Sequence, residues 1–190
     1  REVRELPTGS LVVGRLPRGC ELCQRGRKSV IFVTGLCPRR CFYCPLSTER
    51  KGRDVLYVNE RELAPGDLKE VVREVLLCDS TGASLTGGDP LVKLERTLEI
   101  ARVLKDYFSE EFHLHLYTTG VALSERVLAE LERVELDELR IHPERRDWDK
   151  IEMALKETSM EIGAEIPVIP GTGREIEEFM SYPVSYTHLT

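Results

Sequence analysis

Val30-Ile31-Phe32-Val33-Thr34-Gly35-Leu36-Cys37-Pro38-Arg39-Arg40-Cys41-Phe42-Tyr43-Cys44-Pro45 passes from a continuous apolar, β-branched run into a loop carrying three cysteines. An uninterrupted run of this kind marks a strand covered on both faces, as in a parallel sheet. The change from apolar run to glycine-marked loop recurs along the chain. Ala83–Thr86 ends in Gly87-Gly88, Phe112–Thr118 ends at Gly120, Glu138–His142 follows, and Ile162–Ile169 closes at Pro170-Gly171. Between these runs, apolar residues recur at helical spacing. They are Leu68, Val71, Val72, Val75 and Leu76 after Pro65-Gly66-Asp67, then Leu94–Phe108, then Val127, Leu128 and Leu131 behind a capping Ser124. Trp148–Glu157 and Arg174–Met180 complete the set. About five strand–helix units predict an α/β fold, a parallel sheet with helices outside.

Alternation along the strands separates two faces. Leu114, Leu116, Leu139, Ile141, Ile162, Ile166 and Val168 fall outward, toward the helices. Ser84, Thr86, His113, His115, Tyr117, Arg140, His142 and Glu165 fall on the other face. An inert barrel interior is layered with Val, Ile and Leu, whereas a polar inner face is what a ligand cavity needs. The assignment depends on register, because a slip of one residue would invert it.

The 190 residues suffice for one domain with a sizeable core. Residues 1–29 read as an irregular extension with a short strand at Leu11–Val13, and 30–180 as the main domain. Ser181–Thr190 lacks either periodicity and resembles translated adaptor sequence, so the chain is expected to be a fragment with an unpaired edge on its fifth strand. Net charge is −6, which argues against wholesale electrostatic binding of nucleic acid. The charge is uneven: residues 15–53 carry ten Lys/Arg against Glu21 and Glu49, together with five of the six cysteines. A basic stretch of this kind suits an anionic cofactor, substrate or redox partner. Asn59 and Gln24 are the only side-chain amides, a depletion that fits a thermophile. No run reaches the ~18 apolar residues of a membrane span, and no signal-peptide pattern opens the chain, so a cytoplasmic location is expected. In that setting cysteines point to metal or redox chemistry before disulfides.

Cys37, Cys41 and Cys44 have C-x3-C-x2-C spacing. Three thiolates on one tight loop can hold three irons of a [4Fe–4S] cluster and leave the fourth iron open to a small molecule. This loop, after the first strand of a βα repeat, resembles the signature of the radical S-adenosylmethionine (SAM) superfamily. Ser84–Pro90 looks like that family's Gly-Gly-Glu-Pro segment, with Asp89 where Glu is commoner. Thr118-Thr119-Gly120 is similar to its Thr-Asn-Gly, and Val168-Ile169-Pro170-Gly171 to its fifth-strand segment. Taken together, these resemble proteins related to pyruvate formate-lyase activating enzyme.

The resemblance implies a partial (βα)6-type barrel, truncated before closure, that uses a [4Fe–4S] cluster and SAM. Reductive cleavage of SAM would yield a 5′-deoxyadenosyl radical that takes hydrogen from a substrate. It places Cys37, Cys41 and Cys44 on the cluster. Tyr43, Gly87, Gly88, Asp89, Pro90, Thr118, Thr119 and Ile169 are then expected around SAM. Arg140, His142 and Tyr117 are the candidates for catalytic or substrate contacts. A reducing partner such as flavodoxin or ferredoxin is implied, with Arg39 and Arg40 as its guides. The substrate stays open between a protein glycine, a nucleoside and a small molecule. The competing reading is a zinc or iron–sulfur binding module in which the cysteines are structural. Cys20-Glu21-Leu22-Cys23 is a second C-x2-C that lacks two further ligands, and Cys78 reads as a small buried hydrophobe.

Overall fold

The computed structural model describes residues 2–144 and 148–181, and the backbone of 188–189. An N-terminal hairpin pairs β1 (Val3–Glu5) with β2 (Leu11–Val13) and leads to helix α1 (Arg18–Gln24). The main sheet is built on β3 (Lys28–Thr34), followed by the short antiparallel strands β4 (Leu56–Val58) and β5 (Arg61–Leu63). Helix α2 (Leu68–Leu77), β6 (Gly82–Gly87), α3 (Leu94–Phe108) and β7 (His113–Thr118) follow. Next come α4 (Glu125–Arg133), β8 (Glu138–Ile141), α5 (Trp148–Glu157), β9 (Glu161–Ala164), α6 (Gly173–Ser181) and β10 (His188–Leu189).

The strands lie in the order β10-β9-β8-β7-β6-β3-β4-β5. All pairings from β3 through to β10 by way of β6, β7, β8 and β9 are parallel. The α/β class and the largely parallel sheet therefore agree with the sequence. The sheet is open in the described residues, ending in β5 on one side and β10 on the other. The expected bare edge on the fifth strand is not observed, since 188–189 pairs with Gly163 and Ala164 of β9. The rest of the tail, 182–187 and 190, lies outside the described residues.

Ile31, Val33, Ala83, Leu85, Leu114, Leu116, Leu139 and Ile141 are buried in one apolar core, which takes in Val71 and Val75 of α2, Ile100 and Leu104 of α3, and Leu128 and Leu131 of α4. This is the helix-covered face, and it carries most of the hydrophobic stabilisation. Asp67 and Ser124 cap α2 and α4 by accepting from Glu70 N and Val127 N. Among the described residues no helix is long and apolar enough to cross a membrane.

The opposite face is plugged at the N-terminal ends of its strands by α1, a helix the weak pattern around Cys20 and Cys23 did not announce. Leu22 is buried, and a Cβ on Gly82 would come 2.6 Å from its Cδ1. Beyond Ala164 the alternation expected over Ile162–Ile169 breaks off. Val168 is 84% exposed, and Ile166 turns into the cavity described below, so neither continues the outer row. Pro167 has no N–H to extend a ladder.

Candidate functional site

The C-terminal ends of the parallel strands surround a cavity of about 870 Å3. This is the end at which α/β sheets hold ligands, and the volume suits a cofactor-sized one. The cysteine loop forms one wall: Cys37, Cys41, Cys44, Arg40 and Tyr43 all line it. Gly87 and Gly88 at the end of β6, and Tyr117, Thr118 and Thr119 at the end of β7, form the floor and far side. His142, Glu165, Ile166 and Pro167 complete the rim.

Backbone packing explains the glycines. Gly88 N donates to Thr34 O at 2.8 Å, and Asp89 N to Leu36 O at 2.8 Å, stitching the β6 loop to the start of the cysteine loop. A Cβ on Gly87, whose φ is +140°, would collide with the carbonyl oxygen of Thr34, and one on Gly88 with that of Leu36. Asp54 braces the same region from outside, accepting from Thr34 Oγ1 at 3.0 Å and from Arg96 at 2.7 and 3.2 Å. The Arg96 contact leads the causes holding its carboxyl well below the ordinary range.

The three thiols share one electrostatic neighbourhood. Partial burial raises the Cys37 thiol above its ordinary value, the Arg39 N–H opposes, and Asp89, Cys41 and Cys44 push it further up. Three soft donors lining one cavity suit a metal that itself converts thiols to thiolates. The phenol of Tyr43 is pushed up to about 12 by burial, by its bond to Cys41 and by the charge of that residue. The Tyr43 hydroxyl lies 2.8 Å from His142 Nε2, while His142 Nδ1 lies 2.7 Å from Glu165 O. A carbonyl can only accept, so His142 Nδ1 donates to Glu165 O.

Several expected residues stand elsewhere. Asp89 has no exposed surface and does not line the cavity, because its carboxylate turns away to Leu91 N, Thr118 Oγ1, Thr119 N and Thr119 Oγ1. Pro90 is buried behind it, starting the 3-10 turn Pro90–Lys93. Ile169 is half-buried and outside the lining, where Ile166 and Pro167 stand instead. Arg140 is buried one layer below the floor. It donates to Glu138 Oε1 at 2.5 Å, to Tyr117 OH at 2.8 Å and to Cys20 Sγ at 3.2 Å. Arg39 is no solvated guide: its side chain is 5% exposed, 3.4 Å from Glu144 and 2.7 Å from His142 O. Arg40 is exposed, and so is Cys78, contrary to its reading as a buried hydrophobe. Lys51, Gly52 and Thr86 also line the cavity, and no motif had singled out the first two.

Comparison with known proteins gives a consistent picture. The model of the radical SAM superfamily matches residues 31–156. The chain is 41% identical over 173 residues to a Methanocaldococcus jannaschii protein named "Putative glycyl-radical enzyme activating enzyme", covering 85% of this chain and 45% of that protein. It is 32% identical over 124 residues to a Pyrococcus horikoshii protein named "Probable GTP 3',8-cyclase", covering 65% and 36%. A Thermococcus kodakarensis protein of the same name is 35% identical over 95 residues, covering 50% and 28%. The chain thus spans less than half the length of these relatives.

Proposed function

The chain belongs to the radical SAM superfamily, and on that premise we propose that it is the cluster-bearing part of a radical SAM enzyme acting on a protein glycine. The observation that carries the reading is the cavity itself: three thiols of one loop face the Gly87-Gly88 backbone and Thr118-Thr119 across a single space. In this reading residues 30–180 are a partial (βα)6-type barrel and 1–29 an extension to it. Cys37, Cys41 and Cys44 would hold a [4Fe–4S] cluster beside SAM. Reduced by a flavodoxin- or ferredoxin-type donor in the cytoplasm, the bound pair would supply reductive cleavage of SAM and hydrogen abstraction from the substrate.

The protein's own residues orient and exclude water. Gly87 and Gly88 let the methionine part approach the backbone, and Thr118 and Thr119 stand near the ribose. Ile166 and Pro167 supply the apolar wall in place of Ile169. Tyr43 and His142 fix the open side of the cysteine loop, and Tyr117, held from below by Arg140, bounds the space for substrate. The glycyl substrate is supported by the name of the M. jannaschii relative. The two cyclase relatives favour a nucleotide as the second reading.

Anaerobic reconstitution of the full-length protein with iron and sulfide tests the chemistry. A brown protein that releases 5′-deoxyadenosine from SAM on reduction is expected. Cys41→Ala should lose the iron and the product while keeping its far-ultraviolet circular dichroism. A protein that takes up only zinc and forms no 5′-deoxyadenosine, or a Cys41→Ala chain that unfolds, would favour the structural module instead.

A further inference from the structure

Below the floor of the cavity, a second group of ligating side chains lies on the inner face of the sheet. His113 and His115 are two residues apart on β7 and therefore point the same way, and Glu138 on β8 is the register partner of His115. All three are buried, at 8%, 0% and 2% exposure. Their donor atoms lie within 4.8 Å of one another. We propose that His113, His115 and Glu138 form a second metal site, for a divalent transition ion of the zinc class, separate from the cysteine loop.

His115 is the decisive residue. Both of its ring nitrogens are buried and have no hydrogen-bond partner among the described residues. A polar ring left in that condition costs stability, and native interiors rarely leave one without a partner. A metal ion would satisfy it. His113 Nε2 and Glu138 Oε2 stand 3.2 Å apart, close to the roughly 3.3 Å between two ligands of a tetrahedral zinc with bonds of about 2.0–2.1 Å. Glu138 Oε1 is already taken by Arg140, which leaves Oε2 directed to the histidines.

The surroundings enclose the group tightly. Gly19 of α1 lies against the group, where a Cβ would come 2.7 Å from His115 Nδ1 and 3.2 Å from Glu138 Oε2. The ring of Tyr117 covers His115 edge-on, at 5.3 Å between centroids. A cleft of about 400 Å3 reaches His113 from the N-terminal ends of the strands, with Glu21, Asp137 and Glu161 on its wall, paired with Arg18, Lys105 and Arg15 respectively. Access is therefore from the side of the sheet opposite the cysteine loop. Because the Arg140 guanidinium lies against the same carboxylate, affinity depends on the two imidazoles more than on charge. That donor set favours zinc or cobalt over magnesium or calcium.

The test is metal analysis of the full-length protein after dialysis against Zn2+, followed by titration of the metal-free protein with Co2+. One zinc per chain beyond any iron is expected, with visible ligand-field bands for the cobalt form. Glu138→Gln and His115→Phe, the second keeping a buried ring against Tyr117, should each weaken Zn2+ affinity at least ~100-fold, while Cys41→Ala should keep the zinc. Circular dichroism of both variants separates loss of ligand from loss of fold. The proposal is overturned if no stoichiometric zinc binds, if both folded variants bind as the wild type does, or if Cys41→Ala removes the zinc. None of these results bears on SAM cleavage, which is read separately by 5′-deoxyadenosine.

Discussion

Asp89 accepts four donors from its buried position: Leu91 N and Thr118 Oγ1 at 3.0 Å, Thr119 N at 3.0 Å and Thr119 Oγ1 at 2.5 Å. It thereby fixes the turn that presents Thr118 and Thr119 to the cavity, and Gly120 N in turn donates to Thr118 Oγ1. Asn in its place would face an NH2 group toward donors that need an acceptor. Charge-assisted bonds of this kind contribute about 1.5–3 kcal/mol, and unsatisfied buried donors add to the loss. Asp89→Asn should therefore lower unfolding free energy by about 2–4 kcal/mol in urea titrations, and under the proposed function SAM affinity should fall as the threonine turn loosens. A stability within ~0.5 kcal/mol of wild type would show that the carboxylate is dispensable. At this scale the cysteines were legible because their spacing lies within eight residues of sequence. The role of Asp89 was not, because its partners lie thirty residues further on and appear only once β6 and β7 are paired.

Among the elements, α1 decides how the lower half of the sheet is filled. Leu22 enters the inner face above Gly82, where a Cβ would lie 2.6 Å from Leu22 Cδ1 and 2.7 Å from His113 O. The leucine methyl can yield, but the backbone oxygen of the neighbouring strand cannot. Gly82→Ala should then destabilise the fold by about 1–3 kcal/mol, as overpacking of a tight interior does. Adding Leu22→Ala should recover little of this, because the strand clash remains and a cavity is created. A thermal midpoint unchanged in Gly82→Ala would mean that the backbones of β6 and β7 do not approach at Gly82 as described. Helices α3 and α5 were readable to their end residues, since their apolar positions repeat over several turns. The seven-residue α1 and the three-residue strands β4 and β5 were not, because so short a segment shows no period. Their places are set by contacts with β3, β6 and β7 rather than by local pattern.

Over the whole molecule, polarity is sorted along one axis. The helix-covered face is apolar, the inner face holds a polar column from His113 up to Tyr117, and Arg39, Arg40, Arg50, Lys51 and Arg53 lie on or beside the cysteine loop while Arg15, Arg18 and Lys28 lie at the opposite end of the strands. A net charge of −6 hides this, and only the local surplus of residues 15–53 made it legible. Closure could not be read in the same way, because it depends on how a sheet's two edges meet and not on any segment's composition. The basic rim has a kinetic consequence under the proposed function. Arg53 is exposed, its backbone lies beside the start of the cysteine loop with its carbonyl accepting from Gly35 N at 2.8 Å, and its guanidinium donates to Glu49 O at 3.2 Å without lining the cavity. An acidic electron-donor protein is drawn to such a rim over roughly a Debye length, about 10 Å at 0.1 M salt. Arg53→Glu should slow reduction by a flavodoxin-type donor about three- to tenfold at low salt, and the difference should fade near 1 M, where the screening length falls to about 3 Å. Reduction by dithionite, which needs no protein docking, should keep its wild-type rate. If the dithionite rate falls in parallel, Arg53 acts on the cysteine loop itself and the docking role is wrong.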